Sequence, residues 1–176
     1  MKKEKINKLR NLLFEQVHIQ RVYVNARLKE RITEQFHRLY YDSRSFGETW
    51  YNTFWLGAKT FKLPLDLWVY QEILYSLKPD MIIETGTSYG GSALFLASIC
   101  DLLNNGRIIT IDIEQRKDAP RHKRIKYILG SSISNDIVKN LRSIIKRKDK
   151  VMVILDSDHH KDHVLKEIEI YSKFVT

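Results

Sequence analysis

The stretch from Met81 to Ser92, MIIETGTSYGGS, constrains this chain more than any other. An apolar run ends in an acid, Glu84. A glycine-rich turn follows, and then a helix-like segment runs from Ser92 to Leu103. Strand, tight turn and helix start in that order present backbone N–H groups to a small anionic ligand. The spacing narrows the choice of ligand. Gly86, Gly90, Gly91 and Ser92 read G-x-x-x-G-G-S, which is not the G-x-G-x-x-G of dinucleotide folds. No Gly-Lys-Ser/Thr triplet follows, so a phosphate-binding P-loop is excluded as well.

Beyond this unit the pattern alternates. Strands are expected at Met81–Glu84, Arg107–Asp112, Ile125–Leu129 and Val151–Leu155. Helices are expected over about Gly91–Leu103, Asn135–Lys146 and Asp162–Phe174, with room for a short one in the polar segment through Arg121. Strands alternating with helices call for a parallel sheet with right-handed crossovers. The strands are short and rich in Ile and Val, as they must be when both faces are covered. Asn104-Asn105-Gly106 is a stop signal for the first of these helices. Ahead of the sheet, Pro64 suits the first turn of a helix over Leu65–Leu77, which Pro79 terminates. The predicted fold is α/β, a Rossmann-like parallel sheet over residues 64–176, with residues 1–63 as a helical and aromatic extension. The chain stops straight after a helix, where a doubly wound sheet would add a strand. The sheet is therefore expected to be incomplete at its C-terminal side. The edge this leaves favours self-association, so a homo-oligomer is one expected assembly.

The extension has its own pattern. Ile6, Leu9, Leu13 and Val17, then Val24, Leu28, Ile32, Phe36 and Leu39, recur at helical spacing among charges. This predicts one long or two shorter amphipathic helices. Tyr41–Leu63 is aromatic-rich and broken by Gly47 and Gly57, which reads as loop or short helical turns. Its Trp50–Trp55 stretch is expected to pack the extension onto the core. The net charge is +9. With no zinc-finger spacing and no RNP-type aromatic run, this charge reads as a solvated surface rather than a dedicated nucleic-acid site. Peripheral contact with an anionic membrane stays open. No apolar run has membrane-spanning length, and no unbroken apolar leader opens the chain. Cys100, the single cysteine, is expected to be buried. The expected location is the cytoplasm.

Ligands in open α/β sheets bind outside the carboxyl ends of the strands. All four predicted strands end in polar residues: Glu84, then Thr110-Ile111-Asp112, then Gly130-Ser131-Ser132, then Asp156-Ser157-Asp158-His159-His160. At its position Asp112 can accept both hydroxyls of a ribose. Gly86 and Gly90 let the backbone approach a ligand without a Cβ. Asp156 and Asp158 offer carboxylates for a hard cation such as Mg²⁺, and His159 offers an imidazole base. His163, four residues on, reads as a helix-surface residue. Asp156-x-Asp158 also fits the D-x-D pattern of a metal-dependent glycosyltransferase, which is the competing enzymatic reading. A non-catalytic, truncated binding module is the other.

These pieces together resemble one family, the cephalosporin hydroxylase/rhamnosyl O-methyltransferase family of S-adenosylmethionine (SAM)-dependent enzymes. The resemblance is carried by Pro64–Glu72, Glu84–Ala93, Gly106–Asp112, Gly130–Ser132 and Leu155–His163. It implies a class I methyltransferase fold. It also implies methyl transfer to a hydroxyl of a small molecule, sugar or glycolipid, as in lipid or polysaccharide biosynthesis, with a divalent metal in some members. On that reading Gly86, Thr87, Gly90, Gly91 and Ser92 hold the methionine end, with its carboxylate at the helix start. Glu84 orients the loop or reaches the ligand ammonium. Asp112 holds the ribose, and Ser131 and Ser132 lie near the adenine. Asp156 is the implied metal ligand, and Asp158 or His159 serves as base where no metal does.

Overall fold

The structure, a computed structural model, describes residues 26–41, 50–114 and 116–176. Two compact units are separate bodies, Met1–Ser43 and Arg44–Thr176. In the first, α1 spans Ala26–Tyr41. The stretch predicted helical from Ile6 to Val24 lies outside the described residues.

The second unit opens with a hairpin, β1 (Phe54–Trp55) and β2 (Ala58–Lys59), followed by α2 (Pro64–Leu77). Leu56 and Gly57 at the hairpin tip both have positive φ, 48° and 82°. That geometry matches the right-handed twist of the flanking strands. The loop or helical turns expected here are thus replaced by a tight hairpin. The predicted alternation then follows: β3 (Met81–Thr85), α3 (Gly91–Leu102), β4 (Ile108–Asp112), β5 (Ile125–Leu129), α4 (Asn135–Ile144), β6 (Val151–Leu155) and α5 (Lys161–Tyr171). No helix forms in the described part of the β4–β5 connection, which is held by turns.

The four strands form one parallel sheet in the order β5-β4-β3-β6. Chain order reverses at β3, so β4 and β6 flank it and their carboxyl ends open a crevice beside it. All five residues of β3 are buried. Side-chain alternation divides them between two layers. Met81 and Ile83 join Ile109, Ile111, Leu141 and Tyr171 on one face. Ile82 joins Leu74, Phe95, Leu96, Cys100, Ile108 and Ile154 on the other. Glu84 shares the parity of Ile82, which aims a carboxylate at the layer containing α3. Each fully buried Ile or Leu contributes about 2 kcal/mol, so this double-sided packing fixes the strand ends as a rigid platform.

The described aromatic segment falls in the second compact unit, Arg44–Thr176. The reason is packing. The Trp55 ring meets Phe95 edge-on at 4.9 Å, and its indole N–H donates to Ser98 Oγ at 3.0 Å. No helix among the described residues is long and apolar enough to cross a membrane.

Candidate functional site

Two positions in the turn after β3 require glycine, and for different reasons. Gly86 has φ +88°, and a Cβ there would overlap the Asp156 carbonyl oxygen and come within 2.6 Å of its carbon. Gly91 opens α3 against the hairpin, where a Cβ would lie 2.6 Å from the Lys59 carbonyl carbon and 2.8 Å from Thr60 Cα. The space freed at Gly86 is thus taken by the chain itself, as it is at Gly90, where Pro120 and Tyr127 crowd the site. The loop is locked onto its neighbours before any ligand arrives.

Glu84 is fully buried beneath this turn. Ser92 Oγ donates to its Oε1, and Thr110 Oγ1 donates to its Oε2 at 2.8 Å. The Thr87 and Thr110 hydroxyls are 2.8 Å apart, which extends the network into the loop. Both carboxylate oxygens therefore tie the turn to the start of α3 and to β4, so the loop-orienting role is the one its contacts describe. Burial pushes the Glu84 carboxyl up from 4.5 to about 6, against the opposing hydrogen bonds from Ser92 and Thr110. A raised pKa in the folded state makes this contribution greatest below the unfolded value of 4.5 and lost as pH rises through about 6. The expected size is about 2 kcal/mol. Urea unfolding at pH 4 and pH 8 should show a Glu84-dependent loss of that order, and Glu84→Gln should flatten it. A wild-type and variant difference independent of pH would contradict the assignment.

Asp112 ends β4 and lies beside the same loop. Its Oδ2 accepts the Ser88 N–H at 2.8 Å and its Oδ1 accepts the Glu114 N–H at 3.1 Å. Together with Gly86, Ser131, Ser132, Asp156 and Asp158 it lines a cleft of about 650 Å³ over the carboxyl ends of the strands. That volume suits a small-molecule ligand. The structure therefore gathers Gly86, Asp112, Ser131, Ser132, Asp156 and Asp158 in one crevice. Glu84, Thr87, Gly90, Gly91 and Ser92 form the layer behind it and are buried. His159 stands outside the lining, with its side chain 81% exposed and Nε2 3.9 Å from Asp156 Oδ1.

The two aspartates after β6 do not form an open pair. Asp156 Oδ2 accepts from Lys62 Nζ, a largely covered ammonium that also lies 5.9 Å from the centre of the Tyr70 ring. Burial lowers the Lys62 pKa, but the Asp156 carboxylate outweighs it, and the net direction is up. Asp158 Oδ1 accepts from the His160 N–H at 3.0 Å and contacts the His160 ring. These bonds, the backbone one foremost, hold Asp158 below the usual carboxylate range. A D-x-D metal site would require both of these pairings to open.

Sequence reading missed a second cluster next to these aspartates. His163, expected on the helix surface, is instead largely covered and lines the cleft. Its Nε2 lies 3.2 Å from Ser132 Oγ, 3.3 Å from Ser157 Oγ and 3.5 Å from Glu167 Oε1. Ser157 Oγ donates to buried Glu167 at 2.7 Å. The available signal was the i,i+4 spacing of His163 and Glu167, which puts them on one face of α5.

Comparison with known proteins agrees with this architecture. The family model for rhamnosyl O-methyltransferase/CmcI matches residues 47–176. The rhamnosyl O-methyltransferase of Mycobacterium leprae is 33% identical over 151 residues, which cover 84% of this chain and 64% of that protein. The chain thus spans less than two thirds of the length of that relative. Among solved structures, apo CmcI matches with a TM-score of 0.57 at 22% identity, covering 74% of this chain and 57% of that one. A CmcI structure with Mg and SAM matches with a TM-score of 0.51 at 20% identity, covering 67% and 51%. At such identities these structures support the fold. With the family model matched from the hairpin region to Thr176, the chain belongs to the rhamnosyl O-methyltransferase/CmcI family.

Proposed function

We propose that residues 50–176 form the SAM-binding part of an O-methyltransferase whose acceptor is a hydroxyl of a sugar or other small molecule. The observation that carries this reading is Asp112. Each of its carboxylate oxygens accepts one backbone N–H, which leaves a lone pair on each for the two ribose hydroxyls. The start of α3 supplies N–H groups with no intrahelical acceptor, suited to the methionine carboxylate. Ser131 and Ser132 line the cleft on the β5 side, where the adenine would lie. The family's rhamnosyl O-methyltransferases and the SAM-bound CmcI structure support the same ligand.

The sulfonium of SAM is already an activated donor. Attack by an acceptor oxygen forms the C–O bond as the C–S bond breaks, leaving a neutral thioether. The protein's tasks are alignment and removal of the hydroxyl proton. His159 is the base in this scheme, with its ring beside the Asp156 carboxylate. Asp158 is poorly suited, because its hydrogen bonds lower its proton affinity. A metal at Asp156 does not fit the residues present. The Lys62 ammonium holds one oxygen, and among the described residues no group of three or more His, Cys, Asp or Glu is placed to hold a metal ion.

Calorimetric titration with SAM tests the reading. Asp112→Ala is expected to weaken binding about tenfold or more, the loss of two charge-assisted hydrogen bonds. Equal affinity in variant and parent would remove the ribose assignment.

A further inference from the structure

Helix α1 is not accounted for by the cleft. Leu28, Ile32, Phe36 and Leu39 fall within an arc of about 80° on its surface. Ile32, Phe36 and Leu39 are each about half exposed, at 50%, 47% and 53%. Phe36 stacks on Tyr40 with ring centres 5.2 Å apart, which widens the apolar strip with an amphipathic ring. The same helical arithmetic places Arg31, with Arg38 next to it, toward one side of the strip and Lys29 along the other, while Arg27 falls further round, beside Glu34. Glu30 and Glu34 fall on the far side, away from the strip. Arg38 shares an exposed ion pair with Glu34. Such a pair is worth little in water, so the guanidinium remains open to a stronger anion.

An apolar strip bordered by cations and backed by acids matches a helix lying in the plane of an anionic membrane. The charge of the surrounding sequence has the same sense. Residues 1–41 contain ten Lys and Arg against four Glu, a net +6 of the chain's +9. Two other occupants fit less well. A second copy would bring cations against cations along both borders of a paired strip, which opposes homotypic helix pairing. A nucleic acid would use the cations and leave the strip exposed to water. We propose that α1 is a membrane-surface anchor that binds anionic lipid bilayers through Ile32, Phe36 and Leu39, with the flanking arginines and Lys29 on the lipid headgroups. This inference is independent of the methyltransferase reading, since it needs no SAM and no acceptor.

The test is co-sedimentation of the full chain with vesicles of phosphatidylcholine alone or with 30% phosphatidylglycerol. Binding is expected to be at least tenfold stronger to the anionic vesicles and to fall at least tenfold between 0.05 and 0.5 M NaCl. Ile32→Asp/Phe36→Asp should abolish it, and Arg31→Glu/Arg38→Glu should abolish the preference for phosphatidylglycerol. Both pairs of substitutions lie on exposed positions, and an unchanged thermal unfolding midpoint would show that the core is intact. Absence of vesicle binding overturns the proposal. So does a dimer in light scattering that Ile32→Asp/Phe36→Asp dissolves, and so does RNA binding that survives that double substitution while vesicle binding is absent.

Discussion

Gly86→Ala is expected to destabilise the second unit by about 3 kcal/mol, the largest effect of any single substitution at the site. Two costs add. A residue with a Cβ pays about 1 kcal/mol to hold a left-handed conformation, and Gly86 has φ +88°. The new methyl would also overlap the Asp156 carbonyl oxygen, with the Asp156 carbon 2.6 Å and Ser157 Cα 3.0 Å away. Neighbouring backbone cannot swing aside as a flexible side chain can, and such overpacking costs about 1–3 kcal/mol. Gly57→Ala separates the two. Gly57 has φ +82° with nothing within 4 Å of the added atom. It should lose only the conformational part, about 1 kcal/mol. Urea unfolding of both variants measures the difference. Equal losses would mean that the turn after β3 does not rest on the strand end at Asp156.

Lys62→Met is expected to cost about 2 kcal/mol at neutral pH. Breaking one side of a fully buried ion pair costs about 3–5 kcal/mol, because the remaining charge is stranded. The Lys62 side chain is only 11% exposed, but Asp156 is 34% exposed, so water relieves part of that penalty. The Lys62→Met/Asp156→Asn double variant should lose clearly less than the sum of the two single losses, since no unpaired charge remains. Strict additivity in that cycle would show that the two groups do not interact. The pair also bears on chemistry, because Asp156 is the carboxylate nearest His159. A misplaced Asp156 would leave the proposed base unoriented even where the fold survives.

The sheet was legible because its signals are local. Short Ile- and Val-rich runs gave all four parallel strands to within one or two residues, and Asn104-Asn105-Gly106 and Pro64 gave the neighbouring helix boundaries. Asp112 was legible for a related reason. Once the strand end is fixed, the side chain that closes it must stand at the crevice. What escaped depends on contacts distant in sequence. Lys62 and Asp156 are 94 residues apart, and nothing near Lys62 announces an acidic partner. The identity of Gly86 is set by a carbonyl just past the end of another strand, which no turn rule reveals. His163 looked like a surface residue because Lys161, Asp162 and Lys166 surround it in the sequence. Its cover comes from Ser132 and Ser157 on two separate loops. The hairpin at Leu56-Gly57 was hidden by a leucine in a left-handed position, which single-residue preferences oppose.

A crystal structure of the chain grown with S-adenosylhomocysteine would bring these strands of reasoning to one observation. The ribose hydroxyls should lie within hydrogen-bond distance of Asp112 Oδ1 and Oδ2, the amino-acid carboxylate at the start of α3, and the adenine beside Ser131. Nucleoside density bound elsewhere, or a cleft left empty at saturating ligand, would contradict the SAM site at the carboxyl ends of β3 and β4.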